Sequence, residues 1–159
     1  MGRSTIALIA LGLLTAGLAG LAGCASHNVP TGDYRWAHLV APDEAPRLAY
    51  GRPASDDVVL MLSCSPGADN VRISAVGLTG GEIVLVSDGA ESRFPAQRAD
   101  GPMAQAGLLE ANGRMSAPAL AGFQLTGDLA VLTHGERHKL NATREDRGQV
   151  KAFFRSCAA

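Results

Sequence analysis

The chain has 159 residues, with 14 Lys and Arg against 15 Asp and Glu and a formal net charge of −1. A chain of this length suits one domain with a core of its own. The charge balance argues against nucleic acid or an anionic membrane surface as a partner, because both attract clustered basic side chains. The densest basic stretch is only Arg137-His138-Lys139, followed by Arg144 and Arg147.

The N-terminal segment has the pattern of an export signal. Arg3 precedes an uncharged apolar run over residues 6–18, and small residues then lead to Cys24. The stretch Leu21-Ala22-Gly23-Cys24 resembles the lipobox of bacterial lipoproteins. The resemblance implies that residues 1–23 are a signal peptide and that the Cys24 thiol receives a diacylglyceryl group. The alternatives are a plain signal peptide with a free Cys24 and a retained transmembrane anchor.

The resemblance also implies a place in the cell. Acyl chains such as palmitate on Cys24 would anchor the domain stably in a membrane, facing the periplasm of the cell envelope. Lipoproteins are sorted by the residues that follow this cysteine, and Ala25-Ser26 lacks the Asp that resembles an inner-membrane retention signal. The outer membrane is therefore favoured over the inner one.

Residues 24–34 are predicted to be the lipidated cysteine and a flexible tether, since they are polar, contain Pro and Gly and show no periodicity. Residues 35–159 then form a single β-rich domain. Its first strands are expected at 36–40 and 48–50, separated by two prolines. Residues 57–64 are the most apolar run of the domain and predict a central strand covered on both faces. The alternating stretch 71–76 predicts a half-buried neighbour.

Turn dipeptides predict a series of antiparallel hairpins. Asp88-Gly89 joins strands at 83–87 and 90–94, and Asn112-Gly113 joins strands at 108–111 and 114–117. Further turns at Gly127-Asp128 and Gly135-Glu136 separate strands at 123–126, 129–133 and 137–142. The fold class is therefore mainly β, an antiparallel barrel or sandwich of meandering hairpins with one C-terminal α-helix packed on it.

The C-terminal helix is predicted from capping and periodicity. Thr143 is a cap candidate with Asp146 three residues on, and a single stripe holds Val150, Phe153, Phe154 and Cys157. With Cys24 assigned to lipid, Cys64 and Cys157 remain as an even pair in an oxidising compartment, which favours a disulfide between them. A free reactive thiol at Cys64 is the alternative.

The sequence lacks the motifs of common hydrolases and nucleotide-binding proteins, and we expect no cofactor, no catalytic residue and no metal. His134 and His138 are predicted to be exposed turn histidines, although a shared metal is an alternative. The glycines at 77–81 predict a hairpin loop, and the acidic pairs at 43–44 and 56–57 predict solvated loop charge. Trp36 is expected in the core, whereas Tyr34 and Tyr50 are candidates for a contact surface.

The mature domain is similar to small uncharacterised proteobacterial envelope proteins in Tyr50-Gly51, Cys64 and the run Phe153-Phe154-Arg155-Ser156-Cys157. This resemblance implies the disulfide and the compartment only. We therefore predict a non-catalytic module that binds an envelope protein or a glycan, without nucleic acid. The alternatives are an envelope hydrolase that assembles its site from distant residues, such as a His near Ser63 or Ser65, and a purely structural lipoprotein.

Overall fold

The computed structural model describes residues 33–100 and 107–159. The expected signal peptide, Cys24 and the tether up to residue 32 lie outside the described residues. The described residues form nine strands and two helices: β1 Arg35–Leu39, β2 Arg47–Gly51, β3 Val58–Cys64, β4 Val71–Ala75, β5 Glu82–Ser87, β6 Ala90–Arg98, β7 Leu109–Gly113, α1 Pro118–Thr126, β8 Ala130–Thr133, β9 Glu136–Lys139 and α2 Arg147–Ala158.

The nine strands form one sheet that curls into a half-barrel, in the order β1-β2-β3-β4-β7-β6-β5-β8-β9. All neighbouring strands are antiparallel. The long strand β6 connects the two parts of the sheet, because Ala90–Pro95 pairs with β5 whereas Ala96–Arg98 pairs with β7. The mainly β, antiparallel fold class with a C-terminal helix is thus confirmed.

Two of the expected hairpins are present. Asp88 and Gly89 join β5 to β6 with φ values of 48° and 77°, the left-handed conformation that a type I′ turn requires. The β8–β9 hairpin turns at His134 and Gly135, with φ values of 51° and 81°, one residue earlier than predicted.

The predicted hairpin at Asn112-Gly113 is wrong, because β7 continues through both residues. Asn112 pairs with Arg72, and Gly113 pairs with Val71 on β4. A Cβ atom at Gly113 would clash with the ring of Phe94. This glycine therefore makes room for a side chain from β6 and does not supply a turn.

The strand predicted at 123–126 is also wrong, since these residues belong to α1. The helix begins at Pro118 and ends at Thr126. Gly127 caps it, since its left-handed φ of 76° lets its N–H donate to the Phe123 carbonyl oxygen over 2.8 Å. Ala119, Leu120 and Phe123 are fully buried on its inner side. A short apolar run of this kind fits a strand or a buried helix equally well by periodicity alone.

Strand β3 is not covered on both faces as predicted. Leu60, Leu62 and Cys64 are buried, whereas the alternating residues from Val59 to Ser63 are partly exposed. The strand covered on both faces is β5, in which every residue from Ile83 to Ser87 is buried. Its outward Val84 and Val86 lie between Arg93 and Glu91 of β6 and Leu132 and Ala130 of β8.

The C-terminal helix α2 packs on the sheet against β1 and β2. All four stripe residues (Val150, Phe153, Phe154 and Cys157) are buried. Thr143 Oγ1 accepts the Asp146 N–H over 3.2 Å, and the Asp146 carboxylate accepts the Thr143 N–H over 3.3 Å, the reciprocal pair expected before the helix. The predicted disulfide joins Cys64 to Cys157, with 5.8 Å between their Cα atoms, and connects α2 to the end of β3.

Aromatic rings fill the space between the helices and the first strands. Trp36 is 2 % exposed, as expected for a core residue, and its ring lies 5.2 Å from Tyr50 and 4.9 Å from Phe123. Tyr34 and Tyr50 are also buried, so the prediction that they form a contact surface is wrong. Because Tyr34 stacks on Tyr50, the packed domain includes the last residue of the predicted tether.

Two glycines give a matched test of local packing. A Cβ at Gly51, where β2 and β3 shift register, would lie 2.5 Å from the Asp57 carbonyl oxygen and 3.1 Å from Val58 Cα. We expect Gly51→Ala to lower the free energy of unfolding by about 1–3 kcal/mol, since the backbone must move. Gly148 in α2 has no atom within 4 Å of that position. Gly148→Ala should raise stability by about 0.5–1 kcal/mol in urea unfolding; a loss at Gly148, or no loss at Gly51, would contradict the packing described.

Candidate binding site

A shallow cleft of about 470 Å³ lies at the β1 end of the sheet. Its floor is the outer face of the first strands, where Ala37, Ala49 and Gly51 present little or no side chain. One wall is the β2–β3 loop, from Arg52 to Ser55. The other wall is the approach to α2, with Glu145 and Asp146, and Gln149 in its first turn. The cleft therefore reaches from the outer face of the sheet to its free edge.

The backbone of β1 faces this cleft because β1 is an edge strand. The His38 N–H donates to Gln149 Oε1 over 3.2 Å, so it points away from β2. In an antiparallel pair the outward backbone groups belong to alternate residues, which makes Trp36 and His38 the outward pair of β1. Gln149 Oε1 thus accepts the hydrogen bond that a backbone carbonyl oxygen of a further strand would accept from the His38 N–H. A side-chain amide in this position also protects the edge from unwanted pairing.

Charged side chains at the rim of the cleft form exposed ion pairs. Arg35 contacts Glu145 at 3.2 Å, and Arg52 lies 3.8 Å from Asp57 and 5.7 Å from the centre of the Tyr34 ring. Exposed pairs of this kind contribute about 0–1 kcal/mol each, so a ligand can displace them at little cost. The Tyr34 hydroxyl donates to Asp57 Oδ2 over 2.6 Å, and this hydrogen bond, together with burial, raises the pKa of Tyr34.

Two exposed apolar side chains stand at the end of β1 and directly after it. Leu39 is 41 % exposed and Val40 is 68 % exposed, and Leu39 also lines the cleft. The cleft therefore combines outward backbone groups, charged side chains whose exposed ion pairs a ligand can displace, and apolar surface.

A Ser–His contact occurs behind the edge, between β1 and α2. Ser156 Oγ lies 3.0 Å from His38 Nε2, 2.9 Å from the Ala152 carbonyl oxygen and 3.0 Å from the Phe153 carbonyl oxygen. The hydroxyl has one proton, and the helix carbonyls accept it. In the tautomer that carries the ring proton on Nε2, His38 donates toward Ser156, whereas a general base would accept the serine proton. Burial lowers the pKa of His38. The pair joins α2 to β1.

The other histidines that the sequence singled out lie apart from the cleft. His134 Nε2 lies 3.1 Å from Thr79 Oγ1, and His138 Nε2 is 4.0 Å from Glu136 in the exposed strand β9. No group of three potential metal ligands occurs within residues 33–100 and 107–159. His27 lies outside the described residues.

The remaining candidates have local structural roles. Glu44 forms an ion pair with Arg47, and Asp57 accepts the hydrogen bond from the Tyr34 hydroxyl. The glycine-rich loop at 77–81 connects β4 to β5, which are not neighbours in the sheet, so the hairpin predicted there is wrong. Ser63 is half-buried on β3, and Ser65 is exposed after it.

Sequence reasoning missed the cleft because its parts are far apart in the chain. Arg35, Arg52 and Glu145 come from β1, a loop and the approach to α2. Leu39 and Val40 lie at the end of the strand predicted at 36–40, and the sequence does not show that both are exposed. In the part of the chain that the structure describes, neither helix has the length and apolarity needed to cross a membrane.

Comparisons of the chain with protein-family models, with curated proteins and with solved structures find no match.

Proposed function

We propose that this chain is a lipid-anchored protein of the bacterial cell envelope whose domain binds an extended segment of an envelope partner protein, without catalysis. The observation that carries the binding role is the edge backbone of β1 beside the open cleft, where an added strand would replace Gln149 Oε1 as the acceptor of the His38 N–H. An extended peptide that adds to a sheet edge gains affinity from main-chain hydrogen bonds and specificity from pockets for alternate side chains. The small side chains of Ala37 and Ala49 leave room for such side chains beside the edge.

The anchor rests on the lipobox resemblance at Leu21-Ala22-Gly23-Cys24. Acylated Cys24 would be joined to the domain by residues 24–33, which span at most about 36 Å when fully extended. The tether leads directly into Tyr34 and β1, so the edge strand lies at the membrane-proximal end of the chain. A partner bound there would be held at the membrane, facing the periplasm, with the outer membrane as the favoured location.

Cys24→Ser tests the anchor. We expect the native protein to carry acyl mass on a chain that begins at Cys24, and the variant to lose both the acyl mass and the cleavage after Gly23. Intact-mass spectrometry of the protein from fractionated envelopes measures both changes, and separation of the two membranes locates the native form. Acyl label that remains on the variant would exclude Cys24 as the lipidation site.

Photo-crosslinking from the cleft tests the binding role. A photoreactive amino acid at Leu39, which lines the cleft, should form an adduct with an envelope protein in living cells. The same probe at Arg137 on β9, the opposite edge of the sheet, is the matched control and should not form that adduct. Arg52→Glu should reduce the Leu39 adduct, since it reverses a charge at the rim. Equal adducts from both edges, or none at Leu39, would contradict binding at β1.

A further inference from the structure

The fold gathers basic side chains that are scattered in the sequence. Arg147, Lys151 and Arg155 follow one another at intervals of four residues in α2, and all three are exposed. Side chains at this spacing lie on one side of a helix. The buried stripe of α2 faces the sheet, so the three cations form an exposed row beside it. We call Arg147, Lys151, Arg155 and Leu125 the basic face.

Leu125 adds an apolar group to this row. It is 79 % exposed at the end of α1 and lines a small surface depression together with Arg147 and Lys151. It is the most exposed large apolar side chain among the described residues. A protruding leucine beside basic side chains suits contact with a lipid surface, since the apolar group inserts while the cations attract headgroups.

The charges of the basic face are not compensated locally. The sequences of α1 and α2 contain no Asp or Glu. Among the described residues, none of the three cations forms an ion pair. The two acidic residues that precede α2 are engaged elsewhere, because Glu145 pairs with Arg35 and Asp146 is buried against Thr143. Asp128, which follows α1, is exposed and forms no ion pair with the three cations among the described residues.

We propose that the basic face rests on the anionic headgroups of the membrane that holds the lipid anchor. The inference rests on the proposed function for the presence of a membrane within reach of the tether. A tethered domain meets that surface at high effective concentration, so three cations and one leucine suffice without strong affinity. The cleft at β1 lies on the other side of α2 from the basic face, because Gln149 lines the cleft whereas Lys151 adjoins Leu125. Docking therefore leaves the cleft open.

The two lysines of the chain provide the test. Lys151 lies in the basic face, and Lys139 lies on the edge strand β9. The full protein from its native membrane is reconstituted into vesicles of phosphatidylcholine, with or without 30 % phosphatidylglycerol, and acetylated with a neutral reagent. We expect acetylation of Lys151 to be about threefold slower or more on the anionic vesicles, with Lys139 unchanged. Salt at about 1 M, where the Debye length is about 3 Å, should restore the rate at Lys151.

Matched variants separate the basic face from general charge. Arg147→Glu with Arg155→Glu should abolish the protection of Lys151, whereas Arg72→Glu with Arg98→Glu, the same charge change on strands β4 and β6, should keep it. Arg147 begins α2, where a glutamate suits the helix dipole, so the fold should persist. Equal acetylation rates at Lys151 on both vesicle types would overturn the inference, as would protection that survives the first double variant. Protein that does not co-float with vesicles of pure phosphatidylcholine would instead contradict the lipid anchor. The acetylation rates of Lys151 on anionic vesicles would still test whether the basic face binds anionic headgroups.

Discussion

Replacing either Cys64 or Cys157 by alanine is expected to lower the free energy of unfolding by about 4 to 5 kcal/mol. The bond closes a loop with a sequence separation of 93 residues. In the chain-entropy model, opening a loop of this size gives the unfolded chain that much more freedom. Small domains are stable by about 5–15 kcal/mol in total, so this loss is a large share. Urea unfolding followed by circular dichroism measures it.

The control for this prediction is the double variant. Both single variants and Cys64→Ala with Cys157→Ala remove the same bond, so all three should lose a similar amount, as should the reduced wild-type protein. Hydrogen exchange should increase most in α2, because the disulfide attaches its last turn to β3 and the Gly67 N–H donates to the Cys157 carbonyl oxygen over 2.9 Å. Losses that add up in the double variant would show that each cysteine acts through its own packing.

Two similar dipeptides show how far turn chemistry predicts this fold. Asp88-Gly89 and Asn112-Gly113 both favour a type I′ turn, yet only the first forms one. At Asp88-Gly89 nothing lies within 4 Å of the missing glycine Cβ, so the local preference decides. At Gly113 the Phe94 ring from β6 occupies that position, and β7 pairs with β4 along its whole length. Contacts distant in sequence therefore override the same local signal.

The helices were predictable to different degrees. α2 has an amphipathic stripe and a capping pair, and each was visible as a fixed spacing from Thr143 to Cys157. α1 is short, and its periodicity does not distinguish a strand from a buried helix. Its boundaries were nevertheless present in the sequence, since Pro118 stands at the first turn and Gly127 follows the last. In this case the end signals were more informative than the periodicity.

The two candidate surfaces also differ in how far a local sequence pattern could have predicted them. The cleft joins β1 to the start of α2 through Gln149, and no local pattern connects two elements so far apart. The basic face could have been predicted from the sequence, because Arg147, Lys151 and Arg155 have helical spacing inside a helix that the sequence predicts. A search for consecutive basic residues passes over this arrangement, and the near-zero net charge conceals it.

Trp36→Ala is expected to lower the free energy of unfolding by about 3–5 kcal/mol. Trp36 is the single tryptophan of the chain, is 2 % exposed, and packs between Tyr50 and Phe123. Its indole N–H donates to the Leu140 carbonyl oxygen over 2.6 Å, which joins β1 to the segment after β9. The substitution therefore opens a cavity and leaves a buried carbonyl oxygen without that donor. Urea unfolding followed by circular dichroism is the measurement, since the variant lacks tryptophan fluorescence.

Trp36→Phe separates the two causes. It keeps one ring in the cavity but removes the donor to Leu140, so its cost should be smaller, about 1–3 kcal/mol. Leu125→Ala is the exposed control and should change stability by no more than about 0.5 kcal/mol, because Leu125 has little to lose on truncation. If Trp36→Phe costs as much as Trp36→Ala, the hydrogen bond and not ring packing is the main contribution. A cost below about 1 kcal/mol for Trp36→Ala would mean that the aromatic cluster does not join α1, α2 and β1 in solution.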